Sequence, residues 1–231
     1  MNQAFKLVVF DFDGTIVDSQ AMIHQGMSEA FRVNDLDAPS LSAVKSIVGL
    51  SLEYAIAELM PDGGKDWERT CKVADSYRHA FVKYRQDPDN FHEPLYPGVE
   101  ETLKGLLEQN YNLAIATGKN MRGLENSLIH HGLMDYFETL KTADHGRSKP
   151  HPDILQQALV ENTVEPHEAI MIGDTSFDMA MGRAAGTSCL GVRWGYHEDE
   201  ELIKAGAHKL IDNFTDIPAA LNELAAGIAA E

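Results

Sequence analysis

Leu7-Val8-Val9-Phe10-Asp11-Phe12-Asp13-Gly14-Thr15 joins an unbroken apolar run to two carboxylates one residue apart, followed by a glycine and a threonine. Lys6–Phe10 reads as a buried strand, and such a strand in an open α/β sheet ends at the carboxyl edge, where ligand crevices lie. Asp11 and Asp13 would both be delivered there. Residues i and i+2 of an extended chain share a face, so the two like charges lie close and need neutralising. A divalent cation with oxygen ligands is the simplest partner, an acid kept protonated for catalysis is the second, and a solvated acidic turn is the plain alternative.

Working outward, apolar runs at Asn112–Ala116, Thr139–Lys141, Ala169–Ile172, Cys189–Val192 and Lys209–Ile211 read as further strands. Helical patterns at Val99–Gln109, Met121–His131, Pro152–Val160 and Phe177–Ala185 alternate with them, as in a doubly wound parallel sheet. Between Asp18 and His92 no strand pattern occurs. That interval holds only amphipathic pieces, at Ala21–Phe31, Ser40–Ile47, Leu52–Leu59 and Lys65–Tyr84, and reads as an inserted helical unit. Asp87-Pro88-Asp89-Asn90, Pro94 and Pro97-Gly98 mark its exit, because these residues stop helices and stiffen a connection.

With 231 residues, 44% hydrophobic and 24% charged, the chain can bury a sizeable core as one large domain or two small ones. Its 36 acidic and 19 basic residues give a net charge of −17, which argues against nonspecific nucleic-acid binding and against an anionic membrane surface. An anionic substrate would therefore need local positive charge. No basic segment followed by an apolar stretch opens the chain, and no apolar run approaches the roughly 18 residues of a membrane span. The expectation is a cytoplasmic protein. Cys71 and Cys189 lie far apart without metal-binding spacing and read as buried free thiols.

Chemistry recurs at the ends of later strands. Thr117-Gly118-Lys119 follows the second strand, where backbone amides at a helix start can bind phosphate, although a simple helix cap explains a lone Thr-Gly equally well. Lys149, in Ser148-Lys149-Pro150-His151-Pro152, has its backbone restricted by prolines. Ala169–Ile172 runs into Gly173-Asp174-Thr175-Ser176-Phe177-Asp178, again a strand ending on acids, with Asp178 one helical turn beyond Asp174. Asp174 suits a cation ligand or a helix-start acid.

In order along the chain, Asp11-Phe12-Asp13-Gly14-Thr15, Thr117, Lys149 and Gly173-Asp174 with Asp178 resemble the motifs of the haloacid dehalogenase superfamily. Within it, DFDGTIVDS, YPGVEETL, TGK, SKPHPDIL and GDTSFDM look like the phosphoglycolate phosphatase type. The resemblance covers essentially the whole chain. It implies a modified Rossmann core, residues 1–16 and 94–231, with an α-helical cap at 17–93, and Mg²⁺-dependent phosphoryl transfer through an aspartyl-phosphate. The implied substrate is a small phosphorylated metabolite, with neither nucleic acid nor membrane as partner.

Under this resemblance Asp11 is the expected nucleophile, and Asp13 the acid that protonates the leaving oxygen and later the base that activates water. Asp11, the Asp13 main-chain carbonyl and Asp174 would hold Mg²⁺. Thr117, Gly118 and Lys149 would bind the phosphoryl oxygens, with Asp178 orienting Lys149 or a metal-bound water. Hinges are expected near Ile16–Ser19 and Glu93–Pro97. Val48-Gly49-Leu50-Ser51 resembles the family's cap loop, which makes Gly49 and Ser51 candidate substrate contacts. The acid Asp13 favours phosphate esters over carbon-bound halide. Leu52 stands where the β-phosphoglucomutase branch carries an arginine, which disfavours that mutase reading. A pyrophosphatase and a non-catalytic phospho-aspartate module are the remaining alternatives.

Overall fold

The computed structural model describes residues 4–86 and 92–228. Six parallel strands, β1 (Leu7–Phe10), β2 (Asn112–Ala116), β3 (Thr139–Lys141), β4 (Ala169–Gly173), β5 (Ser188–Val192) and β6 (Lys209–Ile211), form one sheet in the order β3-β2-β1-β4-β5-β6. The chain leaves β1 for β2 and β3 on one side, then returns across β1 to build β4, β5 and β6 on the other. β1 is thus the switch point of an α/β sheet, and its carboxyl end opens between diverging connections. Register pairs Phe10 with Ile115 on one flank and with Ile172 on the other, so the residues after each strand emerge side by side.

Alternation along β1 explains why its run is apolar throughout. Val8 and Phe10 face a cluster with Leu103, Leu113, Ile115 and Ile170, while Leu7 and Val9 face one with Leu155, Ala114 and Met171. Helices cover both faces: α5 (Val99–Glu108), α6 (Met121–His130), α7 (Asp153–Glu161), α8 (Ser176–Ala185), α9 (Asp199–Ala205) and α10 (Ile217–Ile228). The last two were not anticipated from sequence.

Between β1 and α5 the chain inserts four helices, α1 (Gln20–Arg32), α2 (Leu41–Lys45), α3 (Leu52–Leu59) and α4 (Trp67–Arg85). They form a helical cap with its own apolar centre of Met27, Phe31, Val44, Ile56 and Val73. The two connections run antiparallel: Val17 bridges Leu95, Asp18 N–H donates to Pro94 O at 2.8 Å, and Tyr96 N–H donates to Ile16 O at 3.0 Å. The expected exit marker Asp87-Pro88-Asp89-Asn90 lies outside the described residues. Cys189 is buried as expected, whereas Cys71 is only half-buried. Among the described residues no helix is long and apolar enough to cross a membrane.

Candidate active site

Asp11 leaves β1 with its amide donating to Ile172 O at 2.9 Å, which fixes the side chain beside the end of β4. There it meets Asp174 and Asp178, whose carboxylate oxygens and its own lie within 4.8 Å of one another. All three acids are buried. One buried cation faces them: Lys149 Nζ is 2.8 Å from Asp11 Oδ1 and 2.6 Å from Asp178 Oδ1.

Each acid is held differently. Asp178 Oδ2 accepts from the Thr175 amide at 3.0 Å and the Thr175 hydroxyl at 2.6 Å, completing a capping box that starts α8, while Oδ1 accepts from Lys149. Asp174 accepts from the Thr15 hydroxyl at 2.7 Å and from the Tyr196 amide at 3.0 Å. Asp11 differs from both, because among the described residues the close side-chain partner of its buried carboxylate is the Lys149 ammonium alone. Gly14 makes this crowding possible. It adopts φ +85°, and a Cβ there would collide with Asp174 Oδ2 and the Tyr196 ring.

Burial pushes the Asp11 carboxyl up to about 7, against the pull of Lys149 and with the help of Asp178. Asp174 is also held well above its ordinary range, by burial first and then by Asp178 and Asp11. Burial pushes the Lys149 ammonium down, but Asp11 and Asp178 outweigh it and keep it protonated. Three carboxylates against one ammonium leave an uncompensated negative site, and a hard dication with oxygen ligands fits the Asp11 carboxylate beside Asp174.

Asp13 lies past the end of β1, where the chain already turns into Gly14, so the shared face expected of an extended i and i+2 pair is not kept and Asp13 meets a different cation from Asp11. Lys119 Nζ grips both of its oxygens, at 2.8 and 3.0 Å, and lies 3.4 Å from the buried Glu93. Burial pushes the Lys119 ammonium down, and the charges of Asp13 and Glu93 more than restore it. Thr117 is buried at the end of β2, and its Oγ1 accepts from the Lys119 amide at 3.3 Å. Asp11, Asp13, Thr117, Gly118 and Lys119 line a cavity of about 910 Å³, together with Gly49 and Ser51 from the cap. Lys149, Asp174 and Asp178 do not line it themselves but reach it through Asp11, which they contact. The Ser51 amide donates to Ser148 Oγ at 2.8 Å, so cap and core touch directly.

The structure therefore brings together every residue singled out by the motifs, and adds three. Lys119 and Thr15 lie inside the Thr-Gly-Lys turn and the first motif, but nothing in their spacing assigns them a role. Glu93 had been read only as part of a connection. Of the basic cap residues, Arg78 and Arg85 line the cavity, while Lys45 and Arg69 do not.

A family model for haloacid dehalogenase-like hydrolases matches residues 8–192. A protein of Dickeya dadantii (strain 3937) named as a probable phosphatase, IndB, is 31% identical over 221 residues, covering 94% of this chain and 94% of its own. Phosphoglycolate phosphatase of Vibrio vulnificus (strain YJ016) is 28% identical over 202 residues, covering 87% and 89%. Among solved structures, one described as a predicted phosphoglycolate phosphatase from Haemophilus somnus 129pt matches with a TM-score of 0.83 at 23% identity, covering 95% of this chain and 99% of that one. At that identity the likeness speaks for the fold.

Proposed function

The chain belongs to the haloacid dehalogenase-like hydrolase family, and from that premise we propose that it is a Mg²⁺-dependent phosphatase that cleaves a small phosphate monoester through an aspartyl-phosphate on Asp11. The observation that carries this reading is the Asp11 carboxylate, buried yet lining the cavity, 2.8 Å from Lys149 and clustered with Asp174 and Asp178. A carboxylate held that way is open to attack phosphorus.

Asp11 attacks, the P–O bond to the alcohol breaks, and Asp13 delivers a proton to the departing oxygen. In the second half Asp13 takes a proton from water, whose oxygen displaces Asp11 from phosphorus and releases inorganic phosphate. Lys119 holds Asp13 by both oxygens and so fixes its aim at the leaving group. Lys149, kept in place by Asp178, balances charge on the transferring oxygens, with the Thr117 hydroxyl and the amides that follow it beside them. Asp11, Asp174 and the Asp13 carbonyl would hold Mg²⁺. When bound, that ion neutralises the carboxylates and draws charge from the phosphoryl oxygens.

Residues 17–93 serve as the lid in this reading, and hinge at 16–19 and 93–97. A lid that closes over a phosphoenzyme excludes stray water. Free thiols at Cys71 and Cys189 suit a cytoplasmic setting. A mutase of the β-phosphoglucomutase kind is the second reading, and Leu52 on α3 argues against it by offering no charge to a sugar phosphate.

Release of inorganic phosphate from a panel of phosphate esters tests the proposal. Turnover is expected with Mg²⁺ and lost with excess chelator, whereas phosphate retention on an isomerised product would point to the mutase. Mg²⁺ at about 100 times its Kd should also raise unfolding free energy by about 2.7 kcal/mol, read by denaturant titration without any substrate. No stabilisation at any Mg²⁺ concentration would count against the cation site.

Closure has its own test. A Cβ on Gly118 would stand 2.5 Å from Gly49 O and 2.6 Å from Leu50 O, so only a glycine lets the core loop and cap loop meet backbone to backbone. Gly118→Ala should cut kcat by about 10²-fold through misplacement of the cap, with little change in unfolding midpoint. Unchanged steady-state kinetics would show that closure needs no such contact.

A further inference from the structure

The cavity above Asp11 and Asp13 is much larger and more apolar than a two-carbon acid requires. At about 910 Å³ it lies toward the upper end of the ~300–1,000 Å³ typical of ligand sites. Ile23, Met27, Ile47 and Leu50 line it from the cap, with Tyr77 and Phe81 projecting from α4. The two rings pack with centroids 5.0 Å apart at 38°. Tyr54 and Trp67, 5.6 Å apart, continue the aromatic wall toward solvent.

The ring pair lies on the Asp13 side of the cavity. Lys119 Nζ lies 5.9 Å from the Phe81 centroid and 2.8 Å from Asp13 Oδ1, so Phe81 borders the group assigned to protonate the leaving oxygen. The Tyr77 phenol is held protonated by burial, reinforced by the charges of Asp13 and Glu93. Tyr77 and Phe81 therefore border the part of the cavity where Asp13 and Lys119 meet.

The cations lining the cavity are already engaged or exposed. Lys119 serves Asp13 and Glu93, Arg78 pairs with Glu53 and Asp75, and Arg147 pairs with Asp153. Arg85 donates to Gly123 O and to Ser127 Oγ at 3.1 Å. Arg122 is exposed to solvent. A second anionic group on the substrate, such as a carboxylate near the ester, would have to compete with these protein partners for its counter-charge and give up its water among aromatic rings.

We propose that the alcohol released by this enzyme is uncharged and carries a planar unsaturated ring, seated against Tyr77 and Phe81 of the cap. The inference rests on the phosphatase reading above and narrows its substrate class. Ring on ring is favourable in offset or tilted geometry, a contact that a planar unsaturated ring can make with Tyr77 or Phe81 and a puckered saturated one cannot. The ring is borne directly by the alcohol carbon, as in a benzyl ester, or beyond a spacer, as the base is carried across the ribose of a nucleoside.

The test compares kcat/KM, with Mg²⁺, for benzyl phosphate, cyclohexylmethyl phosphate, ethyl phosphate, 2-phosphoglycolate and uridine 5′-monophosphate. These are esters of unactivated primary alcohols, so recognition and not leaving-group chemistry dominates the ranking. Benzyl phosphate or uridine 5′-monophosphate should exceed ethyl phosphate and 2-phosphoglycolate by about 10- to 100-fold, and benzyl should exceed cyclohexylmethyl phosphate. Which of the two ring-bearing esters leads reports how far the ring stands from phosphorus. Phe81→Leu keeps apolar volume and removes the ring face, and should reduce the benzyl-to-ethyl ratio by about 10-fold, chiefly through KM. The ratio is internal to one preparation, and the wild-type ranking decides if the variant does not fold. Preference for 2-phosphoglycolate or ethyl phosphate, equality of benzyl and cyclohexylmethyl phosphate, or an unmoved ratio in Phe81→Leu each overturns the inference while leaving the phosphatase reading intact. Phosphate release from none of the esters overturns both.

Discussion

Asp11→Asn should fold normally and lose turnover by about four orders of magnitude or more, as removal of a nucleophile that works as part of a unit does. Asparagine is isosteric with aspartate but cannot carry a transferable phosphoryl group under the proposed chemistry. Stability should hold or rise in metal-free solution. The wild-type carboxylate is buried with its pKa pushed up to about 7, so ionisation at neutral pH works against folding, and the neutral amide removes that penalty. Single-turnover mixing followed by acid quench would detect phosphorus bound to the wild-type chain and none on the variant. Substantial phosphate release by Asp11→Asn would remove the foundation of the proposed mechanism.

Lys149→Met has the second large effect, and it appears in stability as much as in rate. The ammonium is the only buried cation facing Asp11, Asp174 and Asp178 among the described residues, and its removal leaves three acids without compensation. Breaking a buried pair by deleting one partner costs about 3–5 kcal/mol. The sign with pH follows from Asp11, whose folded pKa lies above its ordinary 3.8. A group raised in this way favours the folded state at low pH and loses that contribution as pH rises through the folded value. Without Lys149 the loss deepens, so the deficit of the variant against wild type in chelator should widen from pH 5 to pH 8. Added Mg²⁺ should recover part of it. A deficit that is small and independent of pH would mean that Lys149 is not the main counter-charge of the cluster.

Much of the fold was legible because its strands are short, wholly apolar and bounded by polar turns. Asn112–Ala116, Thr139–Lys141 and Lys209–Ile211 coincide with the strands found, and Leu52–Leu59 with a cap helix. α9 was missed because only Leu202 of its seven residues is buried, which leaves no period to read. α10 was missed for a different reason: its alanine-rich run has only Asn222 and Glu223 to mark a polar face and carries Pro218 in its first turn, where proline is tolerated.

The candidate site shows the same divide. Asp11, Asp174, Asp178 and Lys149 each occupy the end of a recognisable strand or a proline-braced loop, so local pattern was enough to single them out. Glu93 and Lys119 meet at Asp13 from distant parts of the chain, and no spacing rule connects them. Thr15 and the Tyr196 amide hold Asp174 through contacts that exist only once the sheet has brought its edges together. The lining of the cavity was hidden for a related reason, since aromatic residues at helical spacing on α4 read as ordinary core.

The antiparallel pairing of Val17 with Leu95 makes the helical insertion a pendant held by a two-stranded stalk. Since the outgoing and returning chains stand shoulder to shoulder there, a tight hairpin turn could splice residue 18 to residue 94 without rethreading the sheet. The pendant is therefore interchangeable in principle: another module grafted onto the same stalk would inherit the phosphorus chemistry beneath it and bring a different appetite for substrates.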